Sequence, residues 1–273
     1  MGSWFARLWK ENLGEVAITD IDRRKARRVA MKLGVELAPI NDFQANKVVV
    51  VAVPISVTQN VVAEVAPKLE KGVLLIDLCS VKEEVVRVMR ETNSEAERAS
   101  LHPLFGPGAH TLHGKDILSV PVKTGRVYKK LVERLKSLGA QVTEMKAEEH
   151  DKLMSVVQCM THFTLLAYLS AHDSLKEFNR HSVRTPLFDS LVNSAKAILA
   201  GDSDLYGEIQ VYNRYSRIVR ARILEACRNL DTILTAGNVK NLEEIFKKFV
   251  KSFGAPEVKK AYQRLYERFE VGE

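Results

Sequence analysis

Cysteine is scarce in this chain. Three stand among 273 residues, Cys79, Cys159 and Cys227, odd in number, widely spaced and without a Cys-x-x-Cys pair. That usage excludes a disulfide frame and a cysteine-rich zinc site, and it suits a reducing cytoplasm. Strictly apolar runs are also short, so the sequence predicts no segment of the roughly 18 apolar residues that cross a bilayer. Arg7, Lys10 and Glu11 interrupt the N-terminal apolar stripe, which therefore lacks the hydrophobic stretch of a secretory signal, and Ala6 breaks the myristoylation pattern. Aromatic residues amount to 7% and are not interleaved with basic ones as stacking platforms for nucleic acid would be. Internal repeats and low-complexity linkers are missing too.

Positive charge, by contrast, is in excess, with a formal net charge of +7. The basic residues lie beside acids in helical stretches such as "EEIFKKF". That pattern predicts an ordinary solvated surface or a small anionic ligand, with neither nucleic acid nor a membrane as partner. A composition of 46% apolar and 27% charged residues is that of a soluble globular protein, and the length suffices for two domains.

Strand and helix alternate along the first half. "KVVVVAVP" holds six consecutive apolar residues, Val48 to Val53, as a strand buried on both faces of a parallel sheet requires. "VLLID" repeats the arrangement. In "RVYKKLVERLKSLG" the spacing of Val127, Leu131, Leu135 and Leu138 predicts a helix, and "AQVTEM" a last strand. Alternation to about residue 145 predicts a doubly wound parallel sheet in an α/β domain over 1–146. An apolar-periodic helix over about 148–173 then opens an all-helical domain over 147–273. Its surplus of apolar positions predicts a homodimer.

The opening "MGSWFARLWKENLGEVAITDID" puts Trp4, Phe5, Leu8, Trp9 and Leu13 on one helical stripe, followed by Gly14 and a strand over Val16 to Thr19. In a dinucleotide-binding βαβ unit a glycine-rich turn joins the first strand to the first helix, and an acid ends the second strand. Gly2 stands at the helix start and Asp20 at the strand end, 18 positions on. The helix and the acid fit, while the first strand and first two glycines are wanting. The expectation is a sheet that lacks its first strand, with weak cofactor binding as a corollary. Asp20 favours NAD over NADP, because it accepts hydrogen bonds from ribose hydroxyls and repels a 2′-phosphate, although Arg23 and Arg24 lie within reach.

"LLIDLCSVKEEV" places Asp77, Ser80 and Lys82 just past a strand's carboxyl end, where open parallel sheets bind ligands. "SLHPLFGPGAH" gives a short strand followed by His102, with Pro103, Gly106, Pro107 and Gly108 fixing the turn beyond, which makes His102 a general-base candidate. His110 and His113 have no carboxylate or cysteine in ligand register, so no metal is expected. His150 and His172 read as surface or interface groups.

Together "MGSWFA", "VVVVAVP", "DLCSVK", "HPLFGP", "HDKLMSVVQCMTHF" and "TPLFDSLVNSAKAILAGDSDLYGEIQ", in this order over nearly the whole chain, resemble the prephenate dehydrogenase family. The resemblance implies an NAD(P)-binding Rossmann domain, a helical dimerisation domain and a site between them. The implied reaction is oxidative decarboxylation of prephenate to 4-hydroxyphenylpyruvate, with hydride transfer to NAD or NADP, in tyrosine biosynthesis. His102 would accept the substrate hydroxyl's proton, and Ser80 would hydrogen-bond near the same centre and help seat the nicotinamide. Gly2, Asp20, Val53 and Pro54 would touch the cofactor; His162, Lys82 and Gln158 would touch the substrate.

The sequence departs from the family at "TPLFDSL". Many relatives carry an arginine where Asp189 stands, to pair with a substrate carboxylate. The cation then falls to Lys82, Arg180, Arg184, Arg214 or a second subunit. Alternatives stay open: arogenate as the substrate, a β-hydroxyacid-type dehydrogenase with Lys152 on the long helix, or an inactive homologue that dimerises or senses a ligand.

Overall fold

The structure, a computed structural model, describes residues 1–39, 47–179 and 183–270. It divides into two compact units, Met1–Met154 and Ser155–Glu273. The division falls inside one continuous helix, whose first two turns bury their inner face in the first unit.

In the first unit, α1 (Gly2–Asn12) and α2 (Arg23–Leu33) flank the short strands β1 (Ala17–Ile18) and β2 (Glu36–Leu37), which pair in parallel. A second sheet runs in the order β3 (Val48–Val51), β4 (Leu74–Asp77), β5 (Glu97–Pro103), β6 (Asp116–Lys123) and β7 (Gln141–Glu144). Among the described residues no ladder joins β1 to β3. The central strand β4 is buried on both faces, and its alternation splits the core. Leu74 and Ile76 pack with Phe5, Leu8, Leu131 and Leu135 of α1 and α5 (Arg126–Ser137). Leu75 packs with Val62, Val86 and Met89 of α3 (Ile55–Val65) and α4 (Glu83–Glu91). Successive strand side chains point to opposite faces, so helices on both sides are what such a strand demands.

One expectation needs correction: the sheet is not wholly parallel. "DILSVPVK" forms β6, which the sequence pattern does not announce, and it runs antiparallel to β5. Its Pro121 lies opposite Ala99, beside a register shift between Arg98 and Ala99, and proline is tolerated in a sheet at such an irregularity.

The long helix begins with α6 (Ala147–Met154), passes through a π-helical turn at Ser155–Met160 and continues as α7 (Thr161–Ser174). The second unit adds α8 (Pro186–Leu199), α9 (Ser203–Tyr212), α10 (Ser216–Thr235), α11 (Val239–Phe253) and α12 (Ala255–Glu270). Ala147–Ser174 is long and apolar enough to cross a bilayer by length and composition, because the residues interrupting its apolar run, such as Ser155, Gln158 and Thr161, are polar without being charged. Much apolar surface of this unit is exposed, including Leu166, Val211, Phe246 and Phe253.

Candidate active site

The chemistry-bearing residues of the first unit gather at the carboxyl ends of β4 and β5. His102 is not in a loop, as its proline-rich surroundings suggest, but within β5, paired with Leu118 of β6 and only 2% exposed. Strand pairing therefore fixes its backbone from the sheet side. Its Nδ1 lies 2.8 Å from Nε2 of His150, and the two rings are tilted with centroids 5.0 Å apart.

His150 is the residue that sequence reasoning missed. Read as a surface or interface group, it is fully buried. The signal was available: Ala147, His150, Asp151 and Met154 are the buried residues of α6, and their spacing is that of one helical face, so the two polar side chains stand at core positions. Nδ1 of His150 is 2.8 Å from Oδ1 of Asp151. Asp151 in turn accepts the backbone N–H of Lys82 on Oδ1 at 2.8 Å and that of Glu83 on Oδ2 at 2.9 Å. It thereby serves the donors that the start of α4 cannot satisfy within the helix.

Lys82 also differs from the sequence reading. Its side chain is fully buried, and Nζ donates to Oδ1 of Asp77 at 3.1 Å and to the carbonyl of Leu101 at 2.8 Å. Asp77 Oδ1 further accepts from the N–H of Cys79 at 2.8 Å. The ammonium is thus spent inside the unit, next to the strand that carries His102. Burial pushes the His102 imidazole well below the ordinary histidine range, and the neighbouring His150 and the Lys82 charge add to the effect. Burial lowers His150 too, against the opposing pull of its bond to Asp151. Both rings are therefore neutral near pH 7. The Cys79 thiol is raised by burial to about 11, which leaves it an inert core group.

Ser80 is half-buried just beyond β4. Gly2 opens α1, whose N-terminus has no side-chain cap, and a Cβ there would stand 3.2 Å from that of Ala52. Glycine thus lets α1 start against the chain leaving β3. Val53 and Pro54 follow Ala52, exposed, at the entry to α3. Asp20, beyond β1, accepts the N–H of Asp22 at 3.0 Å and stands 3.9 Å from Lys25. A helix start without a side-chain cap, a glycine at a close approach and an acid beyond a parallel strand are three of the parts that a dinucleotide site uses, so the residues present fit the expected cofactor.

In the second unit, His162 meets the ring of Tyr206 edge-on at 4.7 Å. Its Nδ1 is buried with no hydrogen-bond partner among the described residues, and burial lowers its basicity. Gln158 lies half-buried in the π-helical turn, which is anchored by the Gln210 side chain donating to the carbonyl of Cys159 at 2.8 Å. Asp189 pairs with Arg184 at 3.2 Å, and Arg214 donates to the Tyr215 hydroxyl at 2.7 Å. Arg180 lies outside the described residues.

The family profile described as the prephenate dehydrogenase nucleotide-binding domain matches residues 5–144, and that of the prephenate dehydrogenase dimerization domain matches residues 146–248. This chain belongs to the prephenate dehydrogenase family. Within that family it is 32% identical over 273 residues to a probable arogenate/prephenate dehydrogenase of Methanocaldococcus jannaschii, covering 96% of this chain and 60% of that protein. It is 29% identical over 165 residues to the T-protein of Haemophilus influenzae, covering 59% of this chain and 43% of that one. The chain thus spans less than two thirds of the length of either relative. Among solved structures, prephenate dehydrogenase from A. aeolicus in complex with hydroxyphenyl propionate and NAD+ superposes with a TM-score of 0.71 at 20% identity, covering 95% of this chain and 94% of that one. The prephenate dehydrogenase fold, a Rossmann-like domain followed by a helical one, is therefore the fold of this chain.

Proposed function

We propose that this chain oxidises and decarboxylates prephenate, forming 4-hydroxyphenylpyruvate in tyrosine biosynthesis. The observation that carries this reading is His102, neutral and held in strand pairing at the carboxyl end of β5 beside Lys82 and His150. A neutral imidazole can accept the proton of the ring hydroxyl as the carbinol carbon loses hydride; carbon dioxide then leaves and the ring becomes aromatic. NAD(P), when bound, supplies the hydride acceptor. Gly2 and the first-turn N–H groups of α1 would hold its pyrophosphate, Asp20 its ribose, and Val53, Pro54 and Ser80 its nicotinamide half. Ser80 would hydrogen-bond near the reacting centre. Burial first, and then His150 and the Lys82 charge, keep the ring unprotonated, so that Lys82 acts from within.

The test is turnover by the purified chain with prephenate or arogenate and either nicotinamide cofactor, read as reduced cofactor formed. Prephenate is expected to be the better substrate; no turnover with any combination would overturn the reading. Asp20 gives a second expectation in the same assay. The chain prefers NAD, and Asp20→Ala narrows the ratio of kcat/KM for NAD over NADP by about tenfold, the equivalent of one good charge-assisted contact. An unchanged ratio would remove Asp20 from the cofactor site.

The second unit is proposed to form a homodimer. Its exposed Phe246, Phe249 and Phe253 recur on α11 at helical spacing, and a surface with that much unburied apolar area needs a cover. Light scattering should return about twice the 30.7 kDa chain mass, and a monomer at micromolar concentration would contradict it.

A further inference from the structure

We infer that His150 is a positioning residue that fixes the tautomer of His102. Through it, Asp151 obliges His102 to carry its ring proton on Nδ1 and its lone pair on Nε2. The kinetic consequence rests on the reading of His102 as the base; the tautomer itself does not.

Asp151 accepts two backbone N–H groups, from Lys82 and Glu83, at the start of α4, where the helix dipole also favours a carboxylate. A carboxylate held this way has no proton to give. The 2.8 Å contact between its Oδ1 and Nδ1 of His150 therefore has the imidazole N–H as donor. His150 is buried and neutral, so its one proton is used there and Nε2 is left as an acceptor. Nδ1 of His102, 2.8 Å from that nitrogen, must then be the donor. The single proton of neutral His102 is thereby assigned, and Nε2 becomes its basic nitrogen.

Without such a partner a histidine side chain in water prefers its proton on Nε2, the opposite arrangement. A His102 left to that preference would present a donor to the substrate hydroxyl where a base is needed. The charged groups around the pair agree with the assignment. Lys82 and Asp77 face it from the β4–α4 segment and Asp151 from α6, and the Lys82 ammonium is engaged by Asp77 and by the carbonyl of Leu101. Two apolar residues could fill the space of these rings with no hydrogen bond to satisfy, so packing alone does not call for histidine at both places.

The test reads the ring nitrogens directly. In the full chain labelled with ¹⁵N-histidine, the His102 spectrum should show a protonated Nδ1 and an unprotonated Nε2, and His150 the same pattern. A protonated Nε2 on His102 would overturn the inference, whether or not the chain turns over prephenate. His150→Leu removes the acceptor. It should populate the other His102 tautomer and lower kcat by about 100-fold, with KM for prephenate within about twofold. His150→Gln offers an amide oxygen near the position of Nε2 and should restore both the tautomer and kcat to within about threefold of the parent. A His150→Leu protein with unchanged tautomer would count against the relay. If the Leu variant does not fold, the parent spectrum decides alone. A chain inactive on prephenate with the assigned tautomer intact would sink the substrate reading and leave the relay standing.

Discussion

His102→Asn is expected to lower kcat by about 10²–10⁴-fold, the usual worth of a general base, while leaving KM for prephenate nearly unchanged. Asparagine is the informative replacement because its Nδ2 can occupy roughly the place of the ring Nδ1 and keep a donor directed at His150 Nε2, which the native ring contacts at 2.8 Å. The buried hydrogen bond survives and the proton acceptor is lost. A fall confined to kcat marks an interaction made in the transition state. A rise in KM at constant kcat would instead mark uniform binding, and kcat within about threefold of the parent would make His102 a structural strand residue.

Lys82→Met should destabilise the first unit by about 3–5 kcal/mol, the range for breaking one side of a buried ion pair. Lys82 and Asp77 are both wholly buried, and Oδ2 of Asp77 has no hydrogen-bond partner among the described residues. Removing the ammonium leaves that carboxylate with the N–H of Cys79, at 2.8 Å, and strips a donor from the carbonyl of Leu101. The pair's net worth is smaller than this cost, so Asp77→Leu combined with Lys82→Met should recover a large part of the loss. Trp4 and Trp9 are the two tryptophans of the chain and both lie in α1, so the fluorescence change in denaturant reports this unit. A single variant that unfolds with the parent would show that the pair is dispensable.

Much of this fold is legible in the sequence because burial on both faces leaves a plain mark. The "LLID" of β4 can hardly be anything but an inner strand, the valine run from Val48 is equally plain as a strand although β3 is part-buried and ends the sheet among the described residues, and the pattern of α5 is strongly periodic. β6 was not legible, since Ser119 and Pro121 break its alternation and an antiparallel return needs only a loop after β5, with no helix to announce it. The site was half legible. The Asp-x-x-Ser-x-Lys and His-Pro motifs locate Asp77, Ser80, Lys82 and His102, but motif spacing cannot tell a lysine that reaches a ligand from one that is spent on a neighbouring aspartate. His150 was hidden by its type. A histidine in a helix rich in charged neighbours such as Glu148, Glu149 and Lys152 reads as surface, and only the phase of the buried face, Ala147 to Met154, shows it pointing inward.

The central claim is that a buried, neutral His102 is the base, and the pH profile of kcat for prephenate tests it most directly. Turnover requires the unprotonated ring, so it falls as pH drops through the pKa of His102 in the complex. Burial, His150 and Lys82 all push that value down. The acid limb is therefore predicted well below the ~6.5 of an ordinary histidine, with kcat level through neutrality. A limb at or above about 6.5 that persists in His102→Asn would contradict the account, because the titrating group would then be neither buried nor His102.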